Sequence, residues 1–347
     1  MTDNVLNYKV VLASGEIVDA NEKENRDLWV ALRGGGNNFG IVVQYDFRTF
    51  PQDVLAGGSV YYFPPDFNGQ VEALVAELSK PEPTKETHIM VSTGYADQMN
   101  GMSMCMNQVY YTGEHEHFKK EETDKIPAVL QPFVNMSTRL PGQTVETKSL
   151  KAAADEQASD ARNRVRYVSK AFSPQLWLSL LTPVNPNSCQ YINTTVKADV
   201  ATIQAAAERY MASLENIKGK VKDLLCSCTL QPYPVSLLEK ATDNSLGLSP
   251  ASGPLVNILL LTYWKNKEDD ELVLGTMRDT MQWIKADANE RGTAVPYTFL
   301  AYADETQDPI ESYGDANKKA LQETSKKYDP KGLFQKGVPG GFKLFKP

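Results

Sequence analysis

The chain has 347 residues, 41% of them hydrophobic and 23% charged, a composition that excludes a disordered polymer and supplies one large or two medium cores. A net charge of -7 and a pI near 5.2, with no segment that gathers Lys and Arg, exclude a phosphate-backbone partner. No run of eighteen apolar residues is present to form a transmembrane helix.

The first ten residues (MTDNVLNYKV) hold no basic stretch followed by an apolar one, so no secretory signal is visible in them. From Tyr8 to Ala20 two short apolar runs meet at Ser14-Gly15, which predicts a β-hairpin. Asn21 or Asn25 then caps a short helix through Asp27, Leu28, Trp29, Ala31 and Leu32, and Gly34-Gly35-Gly36 ends it. The next strand alternates Ile41, Val43, Tyr45 and Phe47 against Val42, Gln44, Asp46 and Arg48, a period that calls for one buried face.

Beyond Phe50-Pro51, strand-like runs at Ser59 to Phe63, Thr87 to Tyr95, Gly101 to Tyr111, Arg164 to Phe172, Leu224 to Gln231 and Leu255 to Tyr263 are separated by helical patterns. The helical period is clear in Phe67-Val71-Leu74-Val75-Leu78, in Ile203-Ala207-Tyr210-Met211-Leu214 and in Leu274-Met277-Met281-Ile284. Neighbouring strands interrupted by helices predict an α+β domain, an antiparallel sheet covered by helices on one face. A short strand from Tyr297 to Tyr302 and a helix from Ser312 to Lys327, stopped by Asp329-Pro330, complete the pattern. The Gly332 to Gly341 tail is expected to lie against the fold.

Four cysteines, Cys105, Cys189, Cys226 and Cys228, lack zinc-ligand spacing and read as buried structural thiols, the last two on one face of a strand. His115-Glu-His117 lies in a charged stretch and is expected to face solvent, so no metal site is assigned. Two glycosylation triplets begin at Asn135 and Asn193. The run Gly34-Gly35-Gly36-Asn37-Asn38-Phe39-Gly40 fits neither the phosphate loop nor the dinucleotide fingerprint, because a helix precedes it and a strand follows.

Two segments, DLWVALRGGGNNFGIVVQYDFRTFP from Asp27 to Pro51 and YTFLAYADETQDPIESYGDANKKALQETSKKYDPKGLFQKGVPGGFKLF from Tyr297 to Phe345, resemble the fungal berberine-bridge-enzyme-like FAD-linked oxidoreductases. That family is a branch of the vanillyl-alcohol-oxidase, or PCMH-type, flavoprotein superfamily. The resemblance implies a partial PCMH-type flavin lobe and a substrate domain. Residues 1–55 are then a C-terminal remnant of the FAD-binding domain, 56–295 the substrate domain, and 296–347 a segment returning to the flavin lobe. It also places Met1 well inside the flavin domain, so that a second chain supplying the missing flavin subdomain enters the list of partners beside a small-molecule substrate.

The same resemblance assigns FAD contacts to Gly36, Gly40, Ile41, Val43 and Tyr302. Relatives carry Asn-Tyr where this chain has Ala301-Tyr302, so one hydrogen-bonding side chain toward the flavin ring is absent. The family's flavin-linking His has no match among His88, His115 and His117. No proton-transfer residue is assigned. Tyr95, Asn107, Tyr110 and Tyr111 are strand candidates, and the Ser103-Cys105-Asn107-Val109-Tyr111 side is the expected cavity face. The implied function is oxidation of a small organic molecule in secondary metabolism. A flavin-independent isomerase or cyclase, or an inactive fragment needing a partner chain, are the alternatives. Localisation stays unassigned, although members of the family are often secreted.

Overall fold

The computed structural model describes residues 2–99, 101–157, 164–165, 188–241 and 243–345. A small antiparallel sheet comes first, formed by β1 (Val5–Val11), β2 (Ile17–Asn21) and β3 (Ile41–Phe47) in the order β2-β1-β3. Gly15, at φ 87°, makes the expected hairpin between β1 and β2. The helix Arg26–Leu32 buries Leu28, Trp29 and Ala31. Asn25 precedes it in the left-handed region without a side-chain cap bond, its amide donating to the Asp19 carbonyl at 2.8 Å.

Strict alternation along β3 fails, for a local reason. The register passes from Lys9–Gln44 to Val10–Val42, a β-bulge that leaves Val43 without an opposite residue. Because directly opposed residues share a face, Ile41 falls beside Val11 and Ile17, whereas Tyr45 stays with Tyr8 and Phe47. The rings of Tyr8 and Tyr45 meet edge-on at 5.5 Å, and those of Tyr45 and Phe47 stack at 5.9 Å. Instead of one buried face, β3 exposes Ile41, Val43, Tyr45 and Phe47 along the edge of its sheet.

Among the described residues the large sheet has nine strands: β4 (Leu55–Tyr62), β5 (Thr87–Ala96), β6 (Met102–Tyr111), β7 (Glu146–Lys148), β8 (Arg164–Val165), β9 (Ser188–Lys197), β10 (Leu225–Tyr233), β11 (Leu255–Trp264) and β12 (Ala294–Val295). They run β12-β9-β11-β10-β5-β6-β4-β7, antiparallel throughout, with β8 parallel beside β9. The expected strand over Arg164 to Phe172 appears as β8, and its remainder lies outside the described residues. Helices Phe67–Leu78, Val200–Ser213 and Asp270–Glu290, all legible from their period, pack on one face through Leu74, Ile203, Tyr210, Met277 and Met281. The architecture is the α+β arrangement that the pattern predicts.

β9 carries no apolar alternation, which is why its sequence does not announce a strand. Gln190, Asn193, Thr194 and Thr195 are all buried, a placement that requires hydrogen-bond partners. Asn193 donates to the Phe299 carbonyl at 3.1 Å and accepts from Asn257 at 2.8 Å. Its burial also removes it as a glycan acceptor in the folded chain, whereas Asn135 is exposed.

The expected strand from Tyr297 to Tyr302 is instead an extended entry followed by a 3-10 turn, Leu300–Tyr302. Its amides are taken by side chains: Thr298 N–H donates to Ser312 Oγ and Phe299 N–H to Asn193 Oδ1, at 3.0 and 2.9 Å. The following helix runs Asp315–Tyr328 and is separated by Gly314, at φ 86°, from a short turn at Glu311–Tyr313. A second core joins Tyr8, Leu28, Trp29 and Phe39 to Tyr297, Tyr313, Leu321 and Leu344. The glycine-rich tail lies on this core, with the Phe342 carbonyl accepting from Asn38 at 2.9 Å.

Candidate functional site

The face of the large sheet opposite the helices Phe67–Leu78, Val200–Ser213 and Asp270–Glu290 forms the floor of a cavity of about 360 Å³. Strand register arranges its side chains in rows. One row runs Tyr61, Met106, Ser92, Thr229 and Leu259, and the next runs Met104, Gly94, Ser227, Leu261 and Tyr191. Thr229 Oγ lies 3.0 Å from Ser92 Oγ and 3.3 Å from Ser227 Oγ, so a hydroxyl stripe crosses an apolar floor. Among the described residues, no Asp, Glu, Lys, Arg or His lines the cavity.

This is the opposite face of β6 from the one expected. Met102, Met104, Met106 and Gln108 line the cavity, joined from the expected side by the buried Cys105, whereas Asn107 and Val109 are buried beneath the helices. Asn107 survives there because all its polar atoms are paired: Tyr62 Oη donates to it at 2.9 Å, and its amide donates to Gln70 and to the Phe133 carbonyl. Of the four strand candidates, Tyr95 borders the cavity, its hydroxyl donating to Asp97 at 2.8 Å. Tyr110 stacks on His88 and Tyr111 meets His115 edge-on, and neither lines the cavity.

Tyr302 forms a wall of the cavity. Its ring meets Phe299 edge-on at 4.9 Å and Tyr191 at 5.7 Å, and Gln231 donates to its hydroxyl at 3.4 Å. The Tyr191 and Tyr263 hydroxyls are 2.9 Å apart, and burial together with that contact pushes the Tyr191 phenol well above its ordinary range. Tyr191 thus lines the cavity as a neutral phenol held against Tyr263.

A polar network beneath Tyr302 fixes its turn. Asp304, fully buried, accepts from Gln190 at 2.8 Å, from Arg278 Nε at 3.0 Å and from the Thr306 hydroxyl at 2.6 Å. Burial alone would raise this carboxyl, but the Thr306, Arg278 and Gln190 hydrogen bonds outweigh it and hold the group below the usual carboxylate range. Gln307 ties the same turn to β9 by donating to the Asn193 carbonyl at 2.6 Å. Ala301 is exposed.

The glycine loop meets this turn. A side-chain carbon at Gly36 would lie 3.9 Å from Leu300, in ordinary contact, and Gly36 takes φ 67°. Gly35 and Gly40 are glycine for a different reason. A carbon at Gly35 would fall 2.6 Å from the Ala31 carbonyl oxygen, and one at Gly40 would fall 2.8 Å from that of Val11. At both, the loop's own packing leaves no room for a side chain. Gly36 keeps open space, and among the described residues β3 presents an unpaired edge after it, so backbone groups remain for a cofactor.

All four cysteines are buried and free, and burial raises the thiols of Cys105 and Cys226 to about 11 and those of Cys189 and Cys228 to about 12. His117 is exposed, whereas His115 is half-buried with Nδ1 2.9 Å from the Gly113 carbonyl. Among the described residues, no group of three or more His, Cys, Asp or Glu could hold a metal ion. No described helix is long and apolar enough to cross a membrane.

No protein-family model matches the chain. It is 32% identical over 345 residues to a protein named Oligopeptidase PhomG' from Diaporthe leptostromiformis, matching 99% of this chain and 26% of that protein. It is 30% identical over 351 residues to the FAD-dependent monooxygenase FUP4 of Fusarium proliferatum, matching 99% of this chain and 62% of the relative. The chain thus spans a quarter of the first and under two thirds of the second. Among solved structures, Physcomitrella patens BBE-like 1 superposes with TM-score 0.66 at 16% identity, covering 100% of this chain and 66% of the other. Glucooligosaccharide oxidase from Acremonium strictum, described with a 6-S-cysteinyl, 8α-N1-histidyl FAD, gives 0.67 at 17% identity, covering 99% and 67%.

Proposed function

We propose that this chain, whose fold is that of the berberine-bridge-enzyme-like flavoproteins, is the substrate-binding part of an FAD-linked oxidoreductase acting on a small organic molecule in fungal secondary metabolism. The observation that carries the reading is the meeting of the glycine loop, at Gly36, with the turn that presents Tyr302 to the cavity. The segments of the family resemblance, far apart in sequence, converge there. The name of FUP4 supports the same reading, whereas the peptidase name belongs to a protein of which the chain matches about a quarter.

The residues present fit the cofactor. The backbone of Gly36, Gly40, Ile41 and Val43 and the ring of Tyr302 would hold FAD, which when bound accepts a hydride from a substrate carbon. The chain's own side chains bind and orient the substrate. Met104, Met106 and Leu261 exclude water from the floor, the Ser92-Thr229-Ser227 stripe meets a substrate oxygen, and the Tyr302 hydroxyl, oriented by Gln231, donates a hydrogen bond to the reacting substrate and positions it. The divisions 1–55, 56–295 and 296–347 follow this assignment of roles. The exposed edge of β3 is where further polypeptide, including a second chain, would complete the flavin lobe.

Titrating FAD with the purified chain and following flavin fluorescence tests the proposal. Saturable quenching supports it, and fluorescence unchanged at a large excess of chain contradicts it.

A further inference from the structure

We infer that the cavity takes an uncharged, largely apolar molecule, aromatic or polyunsaturated, with one hydroxyl or carbonyl oxygen, and that it rejects sugars. The inference rests on the reading of this cavity as the substrate site.

Charge is excluded first. The described lining contains no cationic or anionic side chain, and an ion brought into it would lose its hydration without a counter-charge. The apolar content then sets the ligand's body. Met90, Met102, Met104 and Met106 flank the floor on one side, and Leu259 and Leu261 on the other. Thioethers are flexible and polarisable and pack well against π-systems, so this surface moulds itself to a flat ring or a conjugated chain.

The hydroxyl stripe sets the polar end. Ser92, Thr229 and Ser227 bring three hydroxyl protons, and the two contacts among them use two. One proton remains for a ligand oxygen. The Gln231 amide is committed in part to Tyr302. A disaccharide entering the cavity would desolvate many hydroxyls against methionine and leucine, and each unpaired one costs binding.

The test uses the full chain without flavin and reads fluorescence of N-phenyl-1-naphthylamine, an uncharged apolar probe. Binding should survive in Ile17→Lys, which alters the apolar patch beside β3 outside the cavity, and should weaken more than tenfold in Met106→Glu. 1-Naphthol should displace the probe, and maltose should not. The near-isosteric Thr229→Val, which serves even if Met106→Glu does not fold, should weaken 1-naphthol about tenfold while leaving naphthalene unchanged. Displacement by maltose at concentrations where 1-naphthol acts, probe binding abolished by Ile17→Lys, or equal effects of Thr229→Val on both naphthalenes would overturn the inference. Because no flavin or turnover enters the readout, a chain that binds 1-naphthol but not FAD refutes the oxidoreductase reading alone. A chain that binds FAD but prefers maltose refutes the substrate class alone.

Discussion

Tyr302 packs edge-on against Tyr191 with ring centroids 5.7 Å apart, so a residue of the C-terminal segment and one of β9, 111 positions earlier, build one wall of the cavity. The contact makes the cavity a joint product of the two cores. Whatever disturbs the seating of residues 300–302 should alter the cavity before it alters the large sheet.

Tyr302→Phe keeps the ring against Tyr191 and Phe299 and removes the hydroxyl that accepts from Gln231. The expected outcome is an unchanged melting temperature with kcat of the reconstituted enzyme lowered on the order of 10²-fold, the usual scale of a lost hydrogen-bond donor at the reacting atoms. A variant with full kcat would remove Tyr302 from the chemistry.

Asp304→Asn should cost about 3 kcal/mol, because it leaves Arg278 and Gln190 facing an uncharged amide in place of a buried carboxylate. The pH dependence has a definite sign. Asp304 titrates below the ordinary carboxylate range when folded, so its contribution is complete above about pH 4 and is lost as pH falls through the depressed folded value. Urea unfolding across pH should show the gap between wild type and variant narrowing only in strong acid. A gap constant down to the lowest pH would contradict the network.

Gly40→Ala places a carbon 2.5 Å from Val10 Cγ1 and 2.8 Å from the Val11 carbonyl oxygen, where the backbone must move. A loss of about 2 kcal/mol is expected from such overpacking. Gly36→Ala meets no close atom and bears only the cost of a positive φ, about 1 kcal/mol. Equal denaturation midpoints for Gly40→Ala and wild type would show that the loop packs differently.

The buried thiols should ignore a disulfide reagent. At pH 8 the native chain is expected to show no fast-reacting thiol, and the denatured chain all four, since burial holds each thiol at about 11 or above. Rapid native modification of Cys226 or Cys228 would place β10 at the surface.

The helices Phe67–Leu78, Val200–Ser213 and Asp270–Glu290 were legible because a packed helix repeats its apolar residues every three or four positions. β9 was not, since its buried Gln190, Asn193 and Thr195 owe their stability to partners distant in the chain. The cavity face of β6 read backwards for a related reason. Its methionines look like core and Asn107 looks like lining, yet Asn107 is satisfied in the core and the methionines face open space. Tyr302 was found through the resemblance of its segment, whereas the Asp304-Arg278-Gln190 network that seats it joins three elements no local pattern connects.

The most direct measurement is the visible absorption spectrum of the purified chain mixed with FAD and passed through gel filtration. Flavin bands that elute with the protein, and that weaken in a Val43→Lys variant whose melting temperature is unchanged, are the predicted result. A colourless protein peak after incubation with excess FAD would contradict the assignment of the cavity and the glycine loop to a flavin-linked oxidoreductase.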